Sequence, residues 1–164
     1  MTAEPTLVFV DSHIFSVGEI AWGLGPEQPV TAPLCLVFEP RESETYVRTG
    51  IASGRVRVYG QPLSSRPSAV ADGWEDVAEV SLTITEGPLI AAGMEESIGP
   101  QVRLDAHGPA DYRLRVHARG RDTDYDGSSL EPVEDYLILA WPEKHSPPHV
   151  LQSTTRVSEI ELHF

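Results

Sequence analysis

A single cysteine, a single lysine and no apolar run near the ~20 residues of a membrane helix set the first limits on this chain of 164 residues. Cys35 has no second cysteine to pair with, so an internal disulfide and a thiolate zinc site are both excluded. It sits inside "LCLVF", where apolar surroundings favour a small core residue over a reactive thiol. The first 25 residues lack the basic start and unbroken apolar stretch of a secretory signal, because Asp11, His13 and Glu19 interrupt them. A cytoplasmic setting is therefore expected.

Bases are scarce as well. Twelve Lys and Arg stand against 25 Asp and Glu, a net charge of −13. Such a field repels nucleic acid and anionic membranes and steers the protein toward basic partners, besides keeping it in solution. Catalytic motifs are also missing. There is no Gly-x-Ser-x-Gly elbow to raise a nucleophile, "GLGP" is no dinucleotide fingerprint, and Lys144 is not in a phosphate loop. The expectation is a protein that is not an enzyme and carries no cofactor.

What is present is alternation. In "VAEVSLTIT", Val80, Leu82 and Ile84 fall on one side and Glu79, Ser81, Thr83 and Thr85 on the other. In "DYRLRVHARGR", Tyr112, Leu114, Val116 and Ala118 oppose Arg113, Arg115, His117 and Arg119. "RVRVY" and the closing "SEIELHF" repeat the pattern, that of strands with one wet face. "LVFV" at 7–10, "LCLVF" at 34–38 and "YLILAW" at 136–141 are apolar on both faces and suit central strands. Fourteen prolines and thirteen glycines leave little room for helix, "PLIAAGMEESIG" at 88–99 being the one candidate. Residues 60–74 and 142–149, rich in Pro, Gly and Ser, read as loops standing away from the core. The sum is an all-β chain, a single-domain antiparallel β-sandwich of about eight or nine strands over residues 1–164, with long Pro/Gly-rich loops.

The histidines offer little chemistry. His145 and His149 are spaced as on a helix, but "HSPPH" cannot be helical. His117 and His163 fall on polar strand faces and read as surface residues. His13, with Asp11 two residues before it on an expected strand, is the only pair that suggests hydrolytic chemistry, and no nucleophile accompanies it. The arginine side of residues 113–119 lacks the interleaved aromatics of a nucleic-acid surface, so cross-strand pairing with Glu159 and Glu161 is expected instead.

"RDTDYDGSSLEPVED", residues 121–135, holds six carboxylates and begins like a calcium loop. Asp122, Asp124, Asp126 and Gly127 match the EF-hand positions, whereas Val133 stands where a bidentate Glu is required and strand patterns flank the loop. An irregular calcium site on Asp122, Asp124 and Asp126 is one reading. The other starts from the length of the connection, well beyond the ~2–5 residues of an ordinary hairpin loop. On that reading it is a contact surface for a basic protein partner, formed by Asp122, Asp124, Tyr125, Asp126, Glu131, Glu134 and Asp135, with the aromatic as anchor and the acids steering.

The succession "DSHIFSV", "LVFEP", "VAEVSLTITEGPL", "ADYRLRVHA" and "EDYLILAWP" resembles the competence protein J family, inhibitors of a competence-associated DNA-entry nuclease. The resemblance implies a small, soluble, non-catalytic β-domain that binds and blocks a nuclease. Its alternative is a structural or accessory domain. The loops at 60–74 and 122–135 depart from the family pattern and put the same partner in question.

Overall fold

The computed structural model describes residues 4–19, 35–38, 40–41, 43–93, 101–105 and 107–160. Its eleven strands are β1 (Thr6–Val10), β2 (Ile14–Gly18), β3 (Glu44–Arg48), β4 (Ser53–Pro62), β5 (Asp76–Ile84), β6 (Ile90–Ala92), β7 (Gln101–Arg103), β8 (Ala110–Arg119), β9 (Ser128–Ser129), β10 (Asp135–Pro142) and β11 (His149–Ser153). They form two sheets. One runs β1-β4-β10-β8-β5-β11, with β9 also on β4, and the other runs β3-β2-β6-β7. Both contribute to one core, in which Val8, Val56, Val80, Leu114, Val116, Tyr136 and Ile138 of the first sheet join Phe15, Val17, Val47, Ala91 and Val102 of the second. The β-sandwich read from alternation is the observed architecture. The strands beyond the expected number are short, β6, β7 and β9 having three, three and two residues.

One seam departs from the antiparallel expectation. β4 lies parallel to β10, and β9 also pairs parallel to β4. The direction of β4 is fixed by β1 and that of β10 by β8, both antiparallel pairs, so the two antiparallel blocks meet in a parallel join. The doubly apolar run at 136–141 is indeed central. Tyr136, Ile138 and Ala140 face the core, while Leu137, Leu139 and Trp141 pack on the far side with Tyr59, Leu63 and Trp74. The other two runs behave differently. β1 is the last strand of its sheet and leaves Leu7 and Phe9 exposed, and residues 35–38 bury Leu36, Val37 and Phe38 and meet β3 through an isolated bridge from Val37 to Val47. The helix candidate contains strand β6 instead, and residues 94–99 lie outside the described residues.

The arginine side of β8 is dry, contrary to the expectation of a wet face. Arg113 and Arg115 are each 3% exposed and His117 is wholly buried. Their partner is Glu79 of β5, reached by Arg113 Nε at 3.1 Å and Arg115 Nε at 2.8 Å, with Arg66 NH1 at 3.1 Å from both oxygens. Other donors go to the Ser81 hydroxyl of β5 and to loop carbonyls: Arg113 donates to Ser81 Oγ, Ser146 O and Pro147 O, and Arg115 to Ala69 O. Loops at 63–74 and 143–148 thus lie on the sheet rather than away from it, because their carbonyls find donors there. His117 Nδ1 donates to the Leu137 carbonyl at 3.0 Å, and burial pushes the imidazole below its usual pKa. Glu159, the expected partner of the arginines, lies in a short 3-10 turn, Val157–Glu159, while Glu161 and His163 lie outside the described residues.

A second buried pair closes the end of the sandwich beside the C-terminal segment. Asp76 Oδ2 accepts from Arg121 NH2 at 2.5 Å and from the Thr155 hydroxyl at 2.6 Å, and Oδ1 accepts from the Thr154 amide at 2.8 Å. Burial pushes the Asp76 and Glu79 carboxyls up, but arginine hydrogen bonds and charge outweigh it, and both end below the usual carboxylate range. A lowered folded pKa contributes stability above the unfolded value of about 4, lost as pH falls through the folded values. The urea midpoint is therefore expected to drop between pH 5 and pH 3. An unchanged midpoint over that interval would contradict the pairing.

Candidate functional site

Three loops meet at one end of the sandwich. The first is the two-residue turn between β1 and β2, closed by Ile14 N donating to Asp11 O at 3.1 Å, with Ser12 and His13 both at positive φ (53° and 66°). This is the twist that antiparallel hairpins favour, normally supplied by Asn-Gly. Here Ser-His adopts it because the surroundings hold it: His13 N donates to Ala52 O, and His13 O accepts from Thr49 N. The second loop, residues 49–52, supplies those partners. The third is the acidic connection 120–127, where Asp126 N donates to Gly50 O at 2.8 Å and Ala52 N donates to Gly127 O at 2.8 Å.

Within that connection, Asp124 to Gly127 is a turn closed at 3.0 Å, with Tyr125 and Asp126 at its tip and Asp126 at φ 61°. Gly127, which gives the sequence its likeness to a calcium loop, lies against the Asp124 carboxylate. A Cβ there would lie 2.3 Å from both carboxylate oxygens of Asp124. Asp126 Oδ1 stands 2.8 Å from His13 Nε2, and the Tyr125 ring lies 6.0 Å from the imidazole. Of the four non-glycine residues at positive φ among the described residues, Ser12, His13 and Asp126 are gathered here. Exposed beside them are Tyr125 (42%), Leu130 (66%), Asp11 and Glu131.

The structure divides the residues expected to meet a partner. Asp124, Tyr125, Asp126 and Glu131 stay at the accessible end. Asp122 is turned to the C-terminal segment, accepting from the amides of Arg156 at 2.9 Å and Val157 at 3.0 Å. Glu134 is fully buried, accepting from Gly50 N, Ile51 N and the Tyr136 hydroxyl, and is no contact residue. Asp135 belongs to the outer face of the large sheet, between Arg57 and Arg119.

The calcium reading fails on the same geometry. Asp122 is taken up by the amides of Arg156 and Val157 and Asp126 by His13, and no group of three or more His, Cys, Asp or Glu side chains converges among the described residues. The hydrolytic pair fails too. Asp11 and His13 occupy a turn rather than one strand face, and His13 takes Asp126 as its partner while its Nδ1 is buried without one.

A second feature escaped the sequence. On the outer face of the large sheet, under the 63–74 loop, an open cleft of about 620 Å³ is floored by Tyr59, Leu137 and Leu139 and walled by Trp74, with Gln61, Asp72 and Arg119 among its polar groups. The doubly apolar 136–141 run is its signal, since Leu137 and Leu139 have to face something other than the core.

No family model and no curated protein matches the chain by sequence. Two solved structures share its fold. ComJ, inhibitor of the DNA degrading activity of NucA, from Bacillus subtilis, is 15% identical with a TM-score of 0.54, over 86% of this chain and 96% of that one. The protein of crocagin biosynthetic gene J is also 15% identical, with a TM-score of 0.53, over 88% of this chain and all of the other. At this identity the likeness is one of fold, and it falls on the family that the sequence resembles.

Proposed function

We propose that the chain is a non-catalytic binding protein of the nuclease-inhibitor kind, and that its acidic end is the contact surface for a basic partner. The observation that carries the reading is the Asp124-Tyr125-Asp126 turn, which presents an exposed aromatic between carboxylates on a loop fixed by backbone hydrogen bonds to residues 50–53. Rigid presentation lowers the entropy lost on binding, the ring supplies buried area, and the carboxylates steer a basic surface into place. The net charge of −13 and the shared fold of ComJ agree with it.

The test is a plasmid-degradation assay with NucA and with any nuclease encoded beside this chain's gene. Inhibition that saturates near equimolar protein is expected with one of them. Asp124→Asn combined with Asp126→Asn, and separately Tyr125→Ala, should each raise the concentration for half-inhibition by about tenfold or more. The melting temperature should not fall, and added salt should weaken the unaltered protein toward the doubly neutralised one. Equal inhibition by these variants would remove the acidic end from the contact. Lack of inhibition of every nuclease tried, with a biosynthetic cluster around the gene, would favour the accessory role.

A further inference from the structure

Arg119 is the best-prepared ligand donor on the outer sheet face. Its Nε donates to Asp135 Oδ2 at 2.9 Å and its guanidinium lies 4.4 Å from the centre of the Trp74 ring. One edge and one face are therefore fixed, while its terminal nitrogens have no hydrogen-bond partner among the described residues and the side chain is 44% exposed. Arg57 shares Asp135 from the other side, so the carboxylate is held and the arginine with it. This fork stands at the cleft, beside an apolar floor of Leu137, Leu139 and the Tyr59 ring.

We propose that this cleft binds a flat aromatic carboxylate. The volume suits a ligand of a dozen or more non-hydrogen atoms. Trp74 and Tyr59 both line the cleft, so an aromatic ring bound there meets aromatic surface, where offset or edge-on contacts add to burial. The carboxylate meets the free side of Arg119, whose planar fork matches two oxygens and whose position is already fixed by Trp74 and Asp135. Asp72, on the same cleft, sets the charge that is accepted. One negative charge is offset by Arg119, whereas the second charge of a phosphate monoester meets Asp72 and the acidic protein as a whole. Gln61 completes the polar lining with an amide able to donate to a second oxygen.

Such a carboxylate has two sources, a free small molecule or the C-terminal aromatic residue of a peptide. The test titrates 15N-labelled protein and follows the Trp74 indole cross-peak, assigned from the spectrum of Trp74→Phe. 2-Naphthylacetate should shift that peak saturably, and 2-naphthylethylamine should bind at least tenfold more weakly. Arg119→Leu should lose tenfold or more in affinity for the acid, and Asp72→Asn should gain a few-fold. Gly-Gly-Phe with a free C-terminus should exceed its amidated form if the source is a chain end, and both should bind more weakly than 2-naphthylacetate if the source is a free acid.

Equal binding of acid and amine, or an unmoved Trp74 peak, would overturn the proposal even if Arg119→Leu fails to fold. So would a Trp74 peak that moves only on adding the nuclease, which would make the cleft a protein contact. Asp124→Asn with Asp126→Asn should titrate like the unaltered protein, so failure here and failure of the acidic end are separable.

Discussion

Glu79→Ala is expected to lower the free energy of unfolding by about 3–5 kcal/mol, the scale for removing one partner from a buried ion pair. Glu79 is 2% exposed and is the carboxylate shared by Arg113 and Arg115, with Arg66 as a third partner. Without it, two buried guanidinium groups keep their desolvation cost and lose their counter-charge. The loss spreads outward, because Arg115 also holds the Ala69 carbonyl and Arg66 also holds Glu143. Hydrogen exchange should therefore quicken at residues 66–72, and the Trp74 indole should stop responding to a cleft ligand, since Ala71, Asp72 and Trp74 stand on the loosened loop. Urea unfolding with native-state exchange measures both. A loss below about 1 kcal/mol would mean that the arginines find other acceptors and that the loop is held by something else.

The same glutamate shows where sequence reasoning stops. Alternation places Glu79 and Arg115 correctly on one side of their strands, and the pairing register sets them directly opposite each other. What alternation does not report is whether that side is covered. The cover comes from loops with no periodicity, and their proline and serine content says only that they are not helix or strand. The face expected to be wet is therefore dry, and His117, expected at the surface, is in the interior. At the other end, "SEIELHF" reads as a strand, yet its first residues, Ser158 and Glu159, belong to a 3-10 turn whose leading amides at Arg156 and Val157 are held by Asp122, 35 residues before Val157. That contact is non-local and leaves no mark in either segment. The core side of β4, β5, β8 and β10 is fully legible, because apolar side chains at every second position commit one face of a strand to burial and fix its register. The acidic end is half legible: its carboxylates are visible as a cluster, and their division between capping, ion pairing and exposure depends on partners far along the chain.

Glu134→Ala is the second large effect, again about 3–5 kcal/mol. In sequence the residue is one more acid in an acidic run. Yet Glu134 has the parity of Tyr136, Ile138 and Ala140, which puts it on the core side of β10, and this much is readable. Its oxygens accept from Gly50 N at 3.0 Å, Ile51 N at 2.7 Å and the Tyr136 hydroxyl at 2.6 Å. Alanine leaves three buried donors unsatisfied. Glutamine is no remedy, because it offers one acceptor oxygen where two are used. Burial pushes the Glu134 carboxyl above its usual range, despite these donors. A carboxyl with a raised folded pKa contributes most below the unfolded pKa of about 4.3 and less as pH rises toward the folded value. The gap in stability between the unaltered protein and Glu134→Ala should therefore narrow from pH 4 to pH 7, opposite in sign to the dependence on Asp76 and Glu79. Gly50 is also where the acidic connection is fastened, through Asp126 N. Glu134→Ala should thus weaken partner capture together with the melting temperature, whereas Asp124→Asn with Asp126→Asn should weaken capture alone. If Glu134→Ala weakens capture while the melting temperature holds, Glu134 reaches the partner after all and the buried position assigned to it is wrong.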